Sequence, residues 1–466
     1  AELPRYAQLM SAWARLQLGE ATMAADRFLA LYRQSPDEES AQGILNSFSR
    51  AGRENELESF AHAEPLASMV HKYYARKWFD EKRFLAARAQ YPAEYGDSGA
   101  VAAPQVTSYL ASRAKSGTDG LSRLNIKHTP IVEAGWAAGP SGEVRLRLDR
   151  VYLDSGNPAP AALLGSQSGG MWNFMPTTSM RGMEPRLAWR DESAHKWEAE
   201  IGLTPTGGEI AARPVGYLLH QRNIDTGSYL ARLYNEPVRE SILSYTGLRD
   251  PHSGAKWGRV TRAGAKLSTQ QRLDGEWSAS GSISREYLNG SGVESNSRAG
   301  FDADIGKNMG LTGFEHAVVG FSVGFERYRK NLSQFTLGHG GYFSPQHFWH
   351  YGPSFGFMTQ ENRQFIIKGR LAVGGVYKRE DTTQRFPFAP DGNFYAASNG
   401  SGRSHNAEMS GVWRLNDHMQ LGGMISKRYA PQYNDISAIV FLRILLEPRK
   451  SVLSADMPTA ITENLY

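Results

Sequence analysis

From about residue 126 to residue 447, segment after segment alternates apolar and polar side chains, with turn-rich stretches between, and few folds accept that pattern for so long. In Trp277–Tyr287 the odd positions Trp277, Ala279, Ile283 and Tyr287 are mainly apolar, while Ser278, Ser280, Ser282 and Ser284 form a hydroxyl row closed by Glu286. Residues 298–306 set Phe301 and Ile305 against Asp302 and Asp304, and residues 315–328 set Phe321, Val323 and Phe325 against Ser322 and Glu326. Residues 195–203 set Trp197 and Ile201 against Glu198 and Glu200. A period of two is the signature of β-strands with one face in each of two environments.

A soluble sandwich also alternates. Two features favour a membrane barrel. The strands read as about ten residues or longer, the length a tilted strand needs to cross a bilayer. Aromatics such as Trp277 and Tyr287 stand at the ends of apolar faces, as interfacial girdles require. The opposite face, rich in serine, glycine and acid, would make a poor dry core and a good wet lumen. At about 20 residues per strand and loop, 126–447 accommodates about 16 strands. No run of about 18 apolar residues occurs, so any crossing must be made by strands closed on themselves. The expected fold is mainly β: a 16-stranded antiparallel transmembrane barrel behind a short helical segment.

Residues 1–90 have a different style. Gly19, Ala24, Phe28, Leu31 and Pro36 follow spacings that resemble the tetratricopeptide repeat, and Gly52 begins a partial second copy. Such repeats need about three copies for stability, so further repeats are expected ahead of residue 1. Residues 66–90 read as one more helix, 91–125 as a linker, and 448–466 as a tail expected near the periplasmic mouth of the lumen.

Lys+Arg 52 nearly balances Asp+Glu 47, which gives no basic block for nucleic acid. The absence of cysteine removes disulfides and thiolate chemistry. No nucleophile motif, zinc motif or phosphate loop appears, so no enzyme and no cofactor are expected. His347 and His350 point to opposite faces of a strand and have no acid beside them, which argues against a metal site. The candidate lumen residues are Glu198, Glu200, Ser280, Ser282, Glu286, Asp302, Asp304 and Glu326. The aromatic stretch GHGGYFSPQHFWHYGP adds Tyr342, Phe343, Phe348 and Trp349 as polymer-contact candidates. A lining of this kind suits a neutral, hydroxyl-rich solute, whose hydroxyls exchange water for protein partners at little net cost.

Helical repeats, a linker and a barrel, with GGYFSPQHF at 340–348, resemble the C-terminal part of the bacterial cellulose synthase protein C family, the outer-membrane cellulose exporters. The segments SGGMWNFMP (168–176) and RLYNEPVRESILSYTGL (232–248) are similar to that family as well. The resemblance implies an outer-membrane barrel through which a cellulose chain leaves the cell. It also implies periplasmic repeats and an inner-membrane synthase complex as partner. The alternatives are an exporter of poly-N-acetylglucosamine or alginate with the same architecture, or a general porin.

Overall fold

The computed structural model describes residues 4–60, 64–99, 104–168, 172–192, 195–224, 226–361 and 363–459. The chain forms two compact units, Ala1–Gly99 and Ala100–Tyr466.

The first unit is helical: α1 (Arg5–Gln17), α2 (Ala21–Gln34), α3 (Glu38–Arg50), α4 (Leu57–Phe60), α5 (Leu66–Asp80), α6 (Phe84–Gln90) and α7 (Pro92–Gly99). Gly19 and Gly52 end α1 and α3 with positive φ, a conformation glycine adopts without steric cost. The close helix crossing lies elsewhere. A Cβ on Gly43 would stand 2.3 Å from the Phe28 ring, so glycine is required there for α2 and α3 to meet. Trp13 packs edge-on against Phe28, with centroids 4.8 Å apart. The stretch 66–90, read as one helix, is broken at Lys82, whose φ is +62°.

The second unit is a closed antiparallel barrel of sixteen strands among the described residues. In chain order they are β1 (Gln105–Lys115), β2 (Leu124–Ala137), β3 (Gly142–Asp154), β4 (Ser179–Asp191), β5 (Lys196–Leu203), β6 (Pro214–Ile224), β7 (Gly227–Pro237) and β8 (Lys256–Arg272). The second half is β9 (Trp277–Ser291), β10 (Val293–Asn308), β11 (Phe314–Tyr328), β12 (His347–Thr359), β13 (Phe365–Glu380), β14 (Ser398–Asn416), β15 (Met419–Ala430) and β16 (Tyr433–Leu445). Each strand pairs with the next, and β16 closes on β1 from Gln105 opposite Leu445 to Lys115 opposite Asp435. Closure leaves no sheet edge, the condition for strands to sit in hydrocarbon.

The linker boundary differs from the sequence reading. The expected linker holds α7 and the whole of β1, because QVTSYLASRAK alternates buried and exposed like its neighbours. Residues 408–429 span the end of β14 and most of β15, joined at Asp417–His418.

Turns at the end where the chain enters and leaves the barrel are short, for example 138–141, 273–276 and 417–418. The opposite end carries the long connections 155–178, 238–255, 329–346 and 381–397. Outward positions are apolar: Ile201, Leu233, Ile283 and Val440 are each more than half exposed. This exposed belt on a closed barrel is what a bilayer-spanning strand presents to lipid.

Candidate channel lumen

Directly paired residues on neighbouring strands share a face, so the inward set can be followed around the ring. Glu286 is buried while its neighbours Arg285 and Tyr287 are exposed, which makes the even positions of β9 inward. The register then carries Asp302 opposite Ser282, Asp304 opposite Ser280 and Glu326 opposite Gly300 to the same side. In the other direction it reaches Glu200 opposite Tyr217 and Glu198 opposite Leu219. All eight polar candidates therefore face the barrel interior. The bulge between Pro130 and Val132 shifts the inward set of β2 from His128 to Glu133, and lies outside the strands that carry these residues.

The aromatic candidates separate. Phe348 is inward, opposite Glu326. Phe343 packs edge-on against Phe348, with centroids 5.3 Å apart. Tyr342 belongs to the loop 329–346 and its side chain is buried, with Asn296 Nδ2 donating to its hydroxyl at 3.3 Å. Trp349 is outward, with its ring 4.5 Å from Phe325 and 5.9 Å from Phe301 on the outer face. Strand alternation is the reason: Phe348 and Trp349 are consecutive, so only one can enter the lumen.

Charges on the inner wall pair with one another. Arg298 bridges Glu286 at 3.1 Å and Glu326 at 2.9 Å. Arg370 reaches Asp304 at 2.7 Å, Lys196 reaches Glu198 at 2.9 Å, and Glu200 lies between Arg186 at 3.2 Å and Arg147 at 3.5 Å. Arg232 and Arg262 both hold Glu236, at 2.7 and 3.3 Å. The lining is polar and most of its charges are paired, while the inward Lys266 and Lys368 have no acid partner among the described residues.

Both ends of the lumen are obstructed by the chain itself, and sequence reasoning missed most of the residues responsible. At the long-loop end, the 238–255 connection folds inward around a short helix, α8 (Ile242–Thr246), capped by Ser241. Residues 241–248 are all buried. Tyr245 donates its hydroxyl to Glu184 on β4 at 2.7 Å, and Arg239 lies 3.6 Å from the same carboxylate. Arg113 on β1 donates to the Arg239 carbonyl at 2.8 Å and pairs with Asp435 on β16 at 2.7 Å. The connection between β7 and β8 thus grips strands on two other parts of the ring. Burial works to raise the Glu240 carboxyl, but Lys115 and Arg113 outweigh it and hold the group below its usual range.

The 329–346 connection lies on this one: Ser241 Oγ donates to the Gly341 carbonyl at 2.7 Å. A hairpin at 383–395 lies on it in turn, with His339 Nε2 2.9 Å from the Gln384 carbonyl. Burial holds the His339 imidazole at about 4, far below its ordinary value, so the ring is neutral; Nε2 donates, and Nδ1 has no partner among the described residues. Together these segments form a lid.

At the other end, the chain after β16 turns back into the barrel. The Val452 amide donates to the Arg363 carbonyl at 2.9 Å and the Ser454 amide to Glu361 at 2.8 Å. Asp456 accepts from Arg449, from Arg443 at 3.3 Å and from the Leu453 amide at 2.8 Å; all but Leu453 engage it through charge. Arg449, Val452 and Leu453 are fully buried. Met457, Pro458 and Thr459 border a chamber of about 340 Å³, lined also by Arg232 and Arg262 on one wall and Lys368, Glu408 and Met424 on another. Of the expected tail, 460–466 lies outside the described residues.

Residues 122–447 match the family described as cellulose synthase operon protein C C-terminus. The chain belongs to that family. Relatives include cellulose synthase operon protein C of Pseudomonas fluorescens (strain SBW25), 28% identical over 373 residues, covering 77% of this chain and 28% of the relative. The protein of that name from Xanthomonas axonopodis pv. citri (strain 306) is 27% identical over 274 residues, 54% of this chain and 18% of the relative. The chain therefore spans under a third of the length of these relatives. Among solved structures it is similar to one titled bacterial polysaccharide outer membrane secretin, at 11% identity and a TM-score of 0.46, over 74% of this chain and 99% of that one. The family match omits β1, which the fold requires to close the ring. Within this family the barrel is an outer-membrane one, its belt in lipid and its paired charges in water.

Proposed function

We propose that this segment is the outer-membrane conduit through which a β-1,4-glucan chain passes from periplasm to cell surface. The long loops then face the outside, and the short turns, the tail and the helical unit face the periplasm. The inner-membrane synthase complex supplies both polymer and driving force. The observation that carries the reading is a largely charge-paired, hydroxyl-bearing lumen in a member of the cellulose synthase operon protein C family. A neutral glucan slides along such a wall by exchanging water hydrogen bonds for protein ones, each exchange being nearly neutral. Few charges on that wall stand unpaired, so little charge has to be stripped of water and the resistance to movement stays low. The role assigned to Glu286, Asp302, Asp304, Glu326 and Phe348 is solvation and guidance of the chain without covalent chemistry.

Photo-cross-linking of the purified Asp456→Ala protein, in which the C-terminal segment is expected no longer to close the short-turn end, with a diazirine-bearing cellohexaose tests this. Adducts are expected on lumen residues such as Glu326 and Phe348. Adducts confined to the outer surface, or equal lumen labelling by a β-1,6-linked N-acetylglucosamine hexamer, would contradict a cellulose conduit.

A further inference from the structure

The outer wall carries a feature that passage of polymer does not use. On the outward face of β9–β13, the register aligns Arg285 opposite Ala299, Ala299 opposite Arg327, and His347 opposite Arg379. One residue pair nearer the belt, the same register aligns Ile283, Phe301, Phe325, Trp349 and Tyr377. A row of cations thus sits directly on a shelf of aromatic rings, on the side of the long loops.

These cations are poorly satisfied within the chain. Arg327 is exposed and has no acid partner among the described residues. Arg285 is exposed, and its one described side-chain contact is to Ser297 Oγ at 3.4 Å. Arg379 pairs with Asp381 at 3.0 Å, with both side chains about half exposed (55% and 48%). The inner wall, by contrast, pairs its arginines with carboxylates. An unpaired guanidinium at the edge of a hydrocarbon belt is placed to take an anion from the lipid side, and its planar fork matches a phosphate in two-pronged geometry.

The spacing points to the kind of lipid. Arg285, Arg327 and Arg379 recur on every second strand, about 10 Å apart and spanning about 20 Å in all. That span exceeds one phospholipid headgroup and fits a sugar headgroup bearing more than one phosphate. The rings beneath offer a surface for several acyl chains, and Trp349 and Tyr377 offer faces against which a sugar can stack. We infer that this row binds a phosphorylated glycolipid of the leaflet on the long-loop side, with Arg285 and Arg327 holding its phosphates. The inference rests on reading the outward belt as lipid-facing.

Native mass spectrometry of the detergent-solubilised protein, with diphosphoryl lipid A, its dephosphorylated form and phosphatidylglycerol as probes, tests the site. Diphosphoryl lipid A should stay bound. The Arg285→Gln/Arg327→Gln double variant should weaken it by about tenfold or more, as loss of two charge-assisted contacts implies. Arg327→Gln alone should give a partial loss. Lys307→Gln, an outward cation at the short-turn end of β10, should leave binding unchanged. Heat-dependent gel mobility reports whether each variant keeps its barrel, and the single variant serves where the double does not. Wild-type binding by the folded variants, equal binding of the dephosphorylated form, or displacement by phosphatidylglycerol would overturn the inference. Reconstitution into liposomes separates the two readings: a protein that inserts but retains no lipid A lacks this site, whereas one that does not insert lacks the lipid-facing belt altogether.

Discussion

Replacing Asp456 with alanine is expected to release the C-terminal segment from the barrel while leaving the strands folded. Asp456 is the acceptor that holds Arg449, Arg443 and the Leu453 amide together, and Arg449 is fully buried. Removing one partner of a buried charge pair costs about 3–5 kcal/mol, because the remaining charge stays out of water. The segment avoids that cost by undocking, which returns both arginines to solvent. Trypsin reads the change directly. Lys450 is exposed, but Ser451, Val452 and Leu453 behind it are buried, so the bond after Lys450 is protected in the parent. Cleavage there should accelerate by about a thousandfold, the population shift that about 4 kcal/mol implies when opening is fast relative to cutting. A parent-like cleavage rate in a folded variant would show that the segment is held by other contacts. The tail and the lid lie in series, so ionic conductance should stay low in this variant until the lid opens as well.

Acid is expected to loosen the lid, through His339. In the closed lid the imidazole sits at about 4, against an ordinary 6.5, because burial disfavours its charged form and Nδ1 has no acceptor among the described residues. Glu294 and the Gln384 carbonyl act the other way without offsetting burial. An opened lid wets the ring and restores its ordinary value, so the open state binds more protons between about pH 6.5 and 4. Closure is therefore fully favoured above about 6.5 and weakens as pH falls through that window, by about 3 kcal/mol at its lower end. Amide exchange across 332–341, corrected for its intrinsic pH dependence, should rise by about a hundredfold over that range. His339→Gln should flatten the dependence. An acid response that survives in this variant, or none in the parent, would place the titrating group elsewhere.

The wall of the lumen could be read from sequence because its signal is local. On β9, β10 and β11 each residue differs in character from the next, and the register among them is unbroken across Ser280, Ser282, Asp302 and Asp304. The same rule failed where alternation was masked. β1 was hidden in a stretch rich in small residues, and Pro130 introduced a bulge that shifts the inward set of β2. The lid and the tail left no periodic trace. They depend on pairs far apart in the chain, such as Tyr245 with Glu184 and Val452 with Arg363, and a turn-rich composition does not distinguish a loop in solvent from one folded into a barrel. The aromatic cluster at 342–349 straddles a buried loop and the first residues of a strand, which is why its members serve three different surroundings. In the helical unit, Gly19 belongs to the repeat spacing but meets no neighbour, whereas Gly43, outside that spacing, is the one against which Phe28 lies.

Neighbouring side chains on one strand can be made to report their surroundings, and the absence of native cysteine makes the experiment clean. Ser282→Cys and Ile283→Cys, each in protein reconstituted into liposomes, would be treated with a small water-soluble methanethiosulfonate and, separately, with a bilayer-partitioning maleimide. Position 282 should react with the first reagent and position 283 with the second. Equal reaction of both positions with the water-soluble reagent, or the reverse preference, would contradict a barrel with a wet interior and a lipid-facing exterior.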